Sequence, residues 1–306
     1  MCIRLLFVWL VVAVTCASDR LYAQFTDPHN YDDSPVGLNE LEFAFAYAQS
    51  NASIDTAIVI AGAKLDLYQG SFSYSRYFGL AHRLFWVTGN LPAGRLNGSI
   101  SGTRVQGSVA GMGDSACQIG GLLKGGPALS VEQFASYKPT TIVGLSLIIT
   151  VPTGLYDSGK VLNLGSDRWS FKPEIALSHP FGAEQKWQVD TYANAYFFTD
   201  NTSYRRGEVL RQDPLPGIEG HLSYSFLNNL WASLDTRYSF RGATSLNGVS
   251  QDNAQRNFSL GSEVSFSLNA RNTFTFVYDK AVVHENGPAL AGFSLKYAYT
   301  WGKGYR

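Results

Sequence analysis

The chain has 306 residues, with 24 lysines and arginines balanced by 24 aspartates and glutamates. A net charge of zero offers no basic surface to phosphate backbones, so nucleic-acid binding gains no support. Beyond the N-terminal region, no apolar run approaches the roughly 20 residues that a membrane-spanning helix needs. Glycine is abundant, at 30 residues, and hydrophobic residues make up 45% of the chain.

The N-terminus has the features of a secretory signal peptide. Arg4 precedes an apolar run at residues 5–14, and small residues follow. A run of about ten residues is too short to span a bilayer as a helix. We expect residues 1–23 to act as the signal, with cleavage after Ala17 or Ala23.

The exported part of the chain, residues 24–306, has the length of one barrel domain. Only Cys117 then remains of the three cysteines, so an intramolecular disulfide is not available to stabilise it. A closed hydrogen-bonded sheet would stabilise the chain instead.

The first half of the exported chain has an irregular strand pattern. Candidate strands lie at residues 41–48, 57–67, 72–78, 83–87 and 117–123. The stretch 98–126 is rich in glycine, which is typical of loops. The sequence therefore leaves open whether residues 93–124 form wall strands or a plug or loop folded into the lumen.

From residue 140 onward, apolar residues alternate with small or polar ones. In the last segment, Phe293, Leu295 and Tyr297 share one face, while Ser294 and Lys296 share the other. These segments run for about ten residues, as a tilted strand needs to cross a hydrocarbon core, whereas soluble strands are about half as long. The pattern therefore favours a membrane barrel over a soluble sandwich.

Connections between these segments alternate between short and long. The short ones lie at residues 181–185, 227–229 and 269–271, and the long ones at 152–168, 200–216, 242–255 and 282–288. Short periplasmic turns and long extracellular loops are typical of bacterial outer-membrane barrels. The sequence predicts an all-β, transmembrane, antiparallel outer-membrane barrel of about 12 strands, within a range of about 10–14.

Charged residues in the segments fall on the same face as the serines, so we expect them to line the lumen. They are Lys172, Glu174, Glu219, His221, Asp235, Arg237, Arg241, Glu263, Asp279 and Lys296. Opposite charges on neighbouring strands pair across a narrow barrel, which favours a structural lattice of salt bridges. Direct contact with a passing solute is the alternative.

A motif follows the strand that ends near residue 151. Its residues are Pro152, Thr153, Gly154, Tyr156, Asn163, Gly165, Trp169 and Pro173. Proline cannot donate to a sheet and glycine permits a positive φ, so Pro152 and Gly154 should end the strand and open a loop. Asp157, Asn163 and Asp167 could bind a divalent cation, but capping and turn formation is the commoner role of such residues, and we assign no metal.

This motif resembles the signature of the outer-membrane proteins encoded with the meta-cleavage pathway of phenol degradation. The resemblance implies a barrel transporter, similar in role to the importers of fatty acids and aromatic hydrocarbons. We therefore expect uptake of small hydrophobic or aromatic solutes into the periplasm, with outer-membrane lipid and the outer-membrane assembly machinery as partners. Such barrels usually end on an aromatic residue, whereas here residues 302–306 follow Trp301.

Two other functions remain open: a structural or adhesive surface barrel, and a barrel that hydrolyses lipids. His221 and Ser223 share one face of a strand and could bring an imidazole and a hydroxyl together. That face points to the lumen, and a lipid hydrolase needs its site at the bilayer. We therefore expect no enzyme activity, no catalytic residue and no cofactor.

Overall fold

The computed structural model describes residues 26–51, 62–104 and 106–305, so the predicted signal peptide lies outside the described residues. The described strands are β1 (Asn39–Ser50), β2 (Ala63–Leu80), β3 (Arg83–Ile100), β4 (Gln106–Met112), β5 (Ala116–Lys124), β6 (Ile142–Thr150), β7 (Ser170–Phe181), β8 (Trp187–Phe198), β9 (Asn201–Tyr204), β10 (Glu208–Gln212), β11 (Leu215–Leu227), β12 (Leu230–Arg241), β13 (Thr244–Leu246), β14 (Val249–Ser250), β15 (Gln255–Asn269), β16 (Asn272–Glu285) and β17 (Ala291–Trp301). Helix α1 (Val131–Phe134) and a 3₁₀ turn (Ala183–Gln185) lie in connections.

Thirteen of these strands form one antiparallel sheet that closes on itself. Strand β1 pairs with both β17 and β2, and β2 pairs with β3. Strands β4 and β5 both pair with β3, at its two ends, so they are two pieces of one wall strand. Counting them once gives a twelve-stranded barrel, which confirms the predicted fold class and strand number.

The outer face of the barrel is apolar. Leu145, Phe276 and Leu295 expose 43%, 46% and 51% of their surface, while their chain neighbours Ser146 and Ser294 are buried. A belt of exposed large hydrophobic side chains suits hydrocarbon and not water. Among the described residues, no helix has the length and hydropathy needed to cross a bilayer. The closed antiparallel sheet and its apolar outer belt are those of a barrel of the bacterial outer membrane.

The two ends of the barrel differ in their connections. Tight turns such as residues 228–229 and 270–271 lie at one end, which is the periplasmic end by the usual asymmetry. Long connections lie at the other, extracellular end. There β9, β10, β13 and β14 form a second, four-stranded sheet, so two of the predicted long loops contain ordered strands.

The first half of the wall has longer strands than the sequence indicated. Residues 72–78 and the described part of the 57–67 candidate belong to the single 18-residue strand β2. Gly70 interrupts the apolar pattern there, but it pairs with Phe45 on one side and Ala93 on the other, so the ladder continues. The 83–87 candidate likewise extends to Ile100 as β3.

The segment 93–124 also forms wall. Its described residues make up the end of β3 and strands β4 and β5. Pro92 lies where β4 and β5 meet, and its carbonyl accepts the Gly113 N–H at 2.8 Å. Residues 26–38 enter the lumen from the periplasmic end instead, and sequence reasoning did not identify them.

The residues after β17 fold back against a periplasmic turn. The Tyr305 hydroxyl donates to the Ala270 carbonyl at 2.5 Å, and Arg271 Nη2 donates to the Tyr305 carbonyl at 3.0 Å. The last strand itself ends on Trp301, which stacks with Tyr299 at 5.8 Å between ring centroids. An aromatic strand end is therefore present, followed by a short tail bound to the barrel.

We expect Val264→Arg to reduce the stability of the membrane-inserted barrel by about 2–4 kcal/mol, because a lipid-facing arginine near the bilayer midplane must be desolvated. Val264 exposes 45% of its surface and pairs with Phe276. The matched control is Val249→Arg, which places the same change in the loop strand β14. Folding into lipid vesicles over a denaturant series measures the difference, and equal stabilities would contradict the assigned outer face.

Candidate functional site

The N-terminal segment, residues 26–38, is held in the lumen by hydrogen bonds at its innermost end. The Thr26 N–H donates to Glu219 Oε2 at 2.8 Å, and its hydroxyl donates to the Glu174 carboxylate at 2.8 Å. Lys172 Nζ donates to the Thr26 hydroxyl at 2.9 Å. Three buried wall residues thus bind Thr26. We call the whole segment, residues 26–38, the plug.

The same wall residues form a buried ionic network. Lys172 Nζ lies 3.0 Å from Glu174 and 3.3 Å from Glu219, and all three side chains are almost fully buried. The Asn194 amide donates to both carboxylates, at 3.0 and 2.7 Å. Buried charges are tolerated when they are paired and hydrogen-bonded, so this network depends on each of its members.

A second group of charges continues around the barrel. Arg237 Nη1 donates to Asp279 Oδ2 at 2.5 Å, and Arg237 Nε lies 3.8 Å from Glu219. Lys296 on β17 donates to Asp27 of the plug. The plug is therefore bonded to opposite sides of the wall, through Thr26 on one side and Asp27 on the other.

The remaining charged positions that were expected in the lumen divide into two kinds. Glu263 and the His221–Asp235 pair are buried, with His221 Nδ1 at 2.8 Å from Asp235 Oδ1. Arg241 differs, because it is exposed at the end of β12 and has a φ of 71°. Strand parity no longer determines the direction of a side chain where the strand turns.

His29 of the plug joins Asp32 and Ser223 in an arrangement like the triad of a serine hydrolase. Its Nδ1 lies 2.7 Å from Asp32 Oδ2, and its Nε2 lies 2.8 Å from Ser223 Oγ. A working triad needs a histidine that can accept a proton and donors that stabilise an oxyanion. Burial lowers the pKa of His29, but Asp32 and Asp190 outweigh burial and raise that pKa overall. Their negative charge also opposes an oxyanion, so the contact fits an anchor for the plug better than a catalytic triad.

Tyr31 packs the plug against the wall nearer the periplasm. It is fully buried, its ring centroid lies 5.4 Å from Trp86 and 5.2 Å from Tyr192, and its hydroxyl contacts Ser146 at 2.7 Å. The same hydroxyl donates to Glu174 at 2.9 Å. Aromatic contacts thus fix the plug to the wall on the periplasmic side of the ionic network.

The extracellular half of the lumen contains an apolar chamber that the sequence did not reveal. Its buried core consists of Ala48, Ala63, Leu65, Leu67, Leu96, Leu164 and Leu290, with Val109 and Leu162 packed against it. A cavity of about 300 Å³ opens beside Leu65, Val109 and Leu162. Leu65 and Leu67 flank Asp66 on β2, so the inward face is apolar there and the outward face is not. An apolar inward face opposite a polar outward face is the sequence signal that could have revealed the chamber.

The motif residues lie mainly in the connection between β6 and β7, which borders the chamber. The Asp114 carboxylate, in the break between β4 and β5, accepts the Gly154 N–H at 2.9 Å, the Ser166 N–H at 2.9 Å and the Ser166 hydroxyl at 2.7 Å. A Cβ on Gly154 would lie 2.7 Å from Asp114, and one on Gly165 would lie 2.8 Å from it. Gly154 is therefore required for close packing. The positive φ expected for it is not among those observed.

The other motif side chains stabilise the same loop or the wall beside it. Asn163 Oδ1 accepts the Asp157 N–H at 2.8 Å, and Asp157 Oδ1 accepts the Gly159 N–H at 2.9 Å. The Asn201 amide donates to the Tyr156 hydroxyl at 3.0 Å. Asp167 accepts the Ser203 hydroxyl. These carboxylates therefore hold turns, and within the described residues no group of three metal-binding side chains was found.

The remaining motif positions have simpler surroundings. Thr153, which follows Pro152 in the chain, donates its hydroxyl to the Ser115 hydroxyl at 2.9 Å. Trp169 exposes 41% of its surface, and its ring stacks on Phe171 at 6.4 Å. Pro173 lies within β7, opposite Leu147.

We expect Lys172→Met to lower the free energy of unfolding by about 3–5 kcal/mol, because it leaves two buried carboxylates without their cation. The control is Lys160→Met, which removes an exposed pair with Asp157 at 3.0 Å and should cost less than about 1 kcal/mol. Denaturant titration of the refolded barrel measures both. Equal losses would show that the lumenal network is not coupled as described.

The fold has relatives among solved structures. The outer membrane channel COG4313 from Pseudomonas putida F1 is 20% identical, with a TM-score of 0.77, over 90% of this chain and 100% of that chain. The transport unit of the autotransporter AIDA-I from Escherichia coli is 7% identical, with a TM-score of 0.51, over 92% of this chain and 95% of that chain. Similarities at these identities show a shared barrel fold.

A search of curated proteins finds no match. The family model described as "Putative MetA-pathway of phenol degradation" matches residues 44–297, which include every residue of the motif. The resemblance inferred from the motif is thereby confirmed. The chain belongs to this family.

Proposed function

We propose that the protein is an outer-membrane channel for the uptake of small hydrophobic or aromatic molecules into the periplasm. The apolar chamber carries this proposal, because it gathers leucine side chains beside a cavity in the extracellular half of the lumen. A pocket lined mainly by apolar side chains is the usual form of a site for such molecules. The family's description, which refers to phenol degradation, is consistent with this class of solute.

Part of the chamber is lined by the connection between β6 and β7 and not by a strand. Strand β4 pairs with β3 along one edge, and beside its other edge the Leu155 N–H donates to the Met112 carbonyl at 2.8 Å. Leu162 and Leu164 of this loop point into the chamber, where Leu162 lies within reach of Gly98 and Gly107. A solute that enters from outside therefore meets an apolar surface supplied partly by a loop.

The plug closes the proposed channel in its resting state, because it occupies the lumen. Thr26, Asp27, His29 and Tyr31 occupy the lumen below the chamber and contact several wall strands. Passage along the barrel axis then requires the plug to move, and ions should cross the resting barrel slowly. A carrier of apolar solutes with little ionic conductance fits this arrangement better than an open pore.

Insertion by the outer-membrane assembly machinery is part of the same proposal. The final strand presents Phe293, Leu295, Tyr297 and Tyr299 on one face and ends on Trp301. We expect the machinery to recognise this strand, with the tail after Trp301 docking at the periplasmic turn only later.

We expect Leu162→Asn to reduce the initial rate of uptake of a labelled apolar solute about tenfold, because an amide in the chamber raises the cost of desolvation. Proteoliposomes with and without the protein provide the measurement. The control is Val249→Asn, an equally polar change on an exposed loop strand. Uptake by neither wild type nor variant would favour the structural or adhesive barrel.

We expect Tyr31→Ala to raise the ionic conductance of the refolded barrel in planar bilayers at least severalfold, because it removes the plug's largest buried side chain. Tyr278→Ala, on the lipid-facing side of β16, is the control. Unchanged conductance together with intact uptake would contradict the assignment of the plug as the element that closes the lumen.

A further inference from the structure

The outer face of the barrel changes from apolar to polar near the extracellular ends of β1, β2 and β3. Tyr47 and Tyr68 lie side by side there, with 5.0 Å between ring centroids, and Tyr47 lies 5.9 Å from Phe293. Aromatic side chains in such a position occupy the boundary between hydrocarbon and lipid headgroups. Tyr68 and Phe78 lie about ten residues apart on β2, which is the length of strand that crosses a hydrocarbon core. These tyrosines therefore mark the extracellular boundary of the hydrocarbon.

Beyond this boundary the outward side chains of β2 are polar. Asp66 and Lys64 follow Tyr68 toward the extracellular end of the strand, and they alternate with the buried Leu65 and Leu67. A strand at this height is surrounded by lipid headgroups and water and not by acyl chains. The wall on this side of the barrel therefore presents hydrogen-bonding and charged groups to the headgroups of the outer leaflet.

The neighbouring strands extend this polar surface. Arg95 of β3 lies opposite Tyr68, and Asn97 lies opposite both Asp66 on β2 and Ser108 on β4. Arg95 Nε donates to Asn97 Oδ1 at 3.0 Å, and Arg95 Nη2 donates to Ser108 Oγ at 3.5 Å. These bonds hold the guanidinium against the outer wall at the level of the tyrosines. We call this surface the outer polar patch; its residues are Lys64, Asp66, Arg95, Asn97 and Ser108.

The positive charges of the outer polar patch are not neutralised within it. In the part of the chain that the structure describes, neither Arg95 nor Lys64 forms an ion pair with a carboxylate. The Asp66 carboxylate has other partners, because its Oδ1 accepts the Tyr47 hydroxyl at 2.7 Å and the Gln49 amide at 3.0 Å. The patch therefore offers two cations to a negatively charged group in the surrounding leaflet.

Two other exposed arginines at the extracellular end are already paired. Arg256 of β15 lies 3.5 Å from Glu285, and Arg211 of β10 lies 2.8 Å from Asp200. Arg95 differs, because both of its hydrogen bonds go to uncharged groups. A guanidinium carries five N–H donors, so donors remain for another acceptor. A phosphate group suits them, since two of its oxygens can accept from one guanidinium at once.

We propose that the outer polar patch binds lipopolysaccharide of the outer leaflet, with Arg95 and Lys64 as the groups that contact its phosphates. The lipid A headgroup is a phosphorylated disaccharide, so it offers anionic oxygens to the two cations and sugar hydroxyls to Asn97 and Ser108. The acyl chains then lie against Tyr68 and the apolar belt. This lipid contact lies on the outside of the barrel and does not depend on the proposed uptake function.

Binding of purified lipid A tests the proposal. The full-length barrel, refolded in a nonionic detergent, is titrated with lipid A, with the same lipid A after enzymatic removal of its phosphates, and with phosphatidylglycerol. Native mass spectrometry measures the bound lipid. The second lipid isolates the contribution of the phosphates, and the third isolates that of negative charge without the sugar. We expect lipid A to bind at least about tenfold more tightly than either of the others.

Variants locate the contact. Arg95→Gln should weaken lipid A binding about fivefold, and the double variant with Lys64→Gln more than about tenfold, while binding of the dephosphorylated lipid stays unchanged. The matched control is Arg76→Gln, because Arg76 also faces outward but lies at the periplasmic end of β2, where it donates to the Asn39 side chain at 2.8 Å. All three cationic side chains are exposed, so each variant should fold as the wild type does.

Equal affinities for lipid A and its dephosphorylated form would overturn the proposal, and so would equal losses in Arg95→Gln and Arg76→Gln. Either result would indicate that lipid merely adsorbs to the apolar belt. Equal affinities for lipid A and phosphatidylglycerol would show a general preference for anionic lipids and would overturn the choice of lipopolysaccharide.

Discussion

Everything in this structure depends on the closure of one backbone hydrogen-bond ladder. Within hydrocarbon no water is available to pair with N–H and C=O groups, so every strand needs a neighbour on both sides. The β1–β17 ladder supplies the last pairing, from Asn39 opposite Trp301 to Gln49 opposite Ala291. Closure sets the outer face, and the alternation of side chains then determines which residues enter the lumen. The break between β4 and β5 is one place where the wall departs from regular pairing, and Asp114 there binds the loop beside the chamber.

Closure has a second effect, because it places charged side chains in a space with little water. Lys172, Glu174 and Glu219 come from β7 and β11, and the plug supplies the hydroxyl and amide groups that complete their hydrogen bonds. The charges therefore help to hold the plug in the lumen, and the plug completes the hydrogen bonds of the charges. The apolar chamber lies outside this network, on the side of the barrel formed by β1 to β4. One barrel thus holds an ionic network around the inner end of the plug and a separate apolar cluster in its extracellular half.

The sequence predicted the fold because the strand pattern is local. Phe293 to Trp301 alternate without interruption, and such a pattern has one interpretation once strand length is considered. Lys172 and Glu174 are buried on the same face of β7 as Ser170 and Ser178, since parity along a strand is preserved by the ladder. Gly70 and Pro92 obscured β2 and β3, because their neighbours in the sheet, and not their own preferences, keep them extended. The positions of Thr26 and Tyr31 could not be predicted, because their contacts lie more than a hundred residues away in the chain and the segment has no periodic pattern. The sequence placed Ser223 beside His221, but the Ser223 hydroxyl contacts His29. This contact could not be predicted either, because His29 is also distant in the chain.

The inner part of the plug, residues 26–31, is joined to the wall by the short remainder of the plug, which acts as a tether. Only residues 32–38 separate Tyr31 from the start of β1, and seven residues extend at most about 25 Å at roughly 3.3–3.6 Å each. A displaced plug can therefore reach the periplasmic mouth but cannot diffuse away from it. Reclosing is a unimolecular event with a high effective concentration, so its rate does not depend on how much protein the membrane contains. If the proposed channel opens by displacement of the plug, this tether lets it close again without a partner.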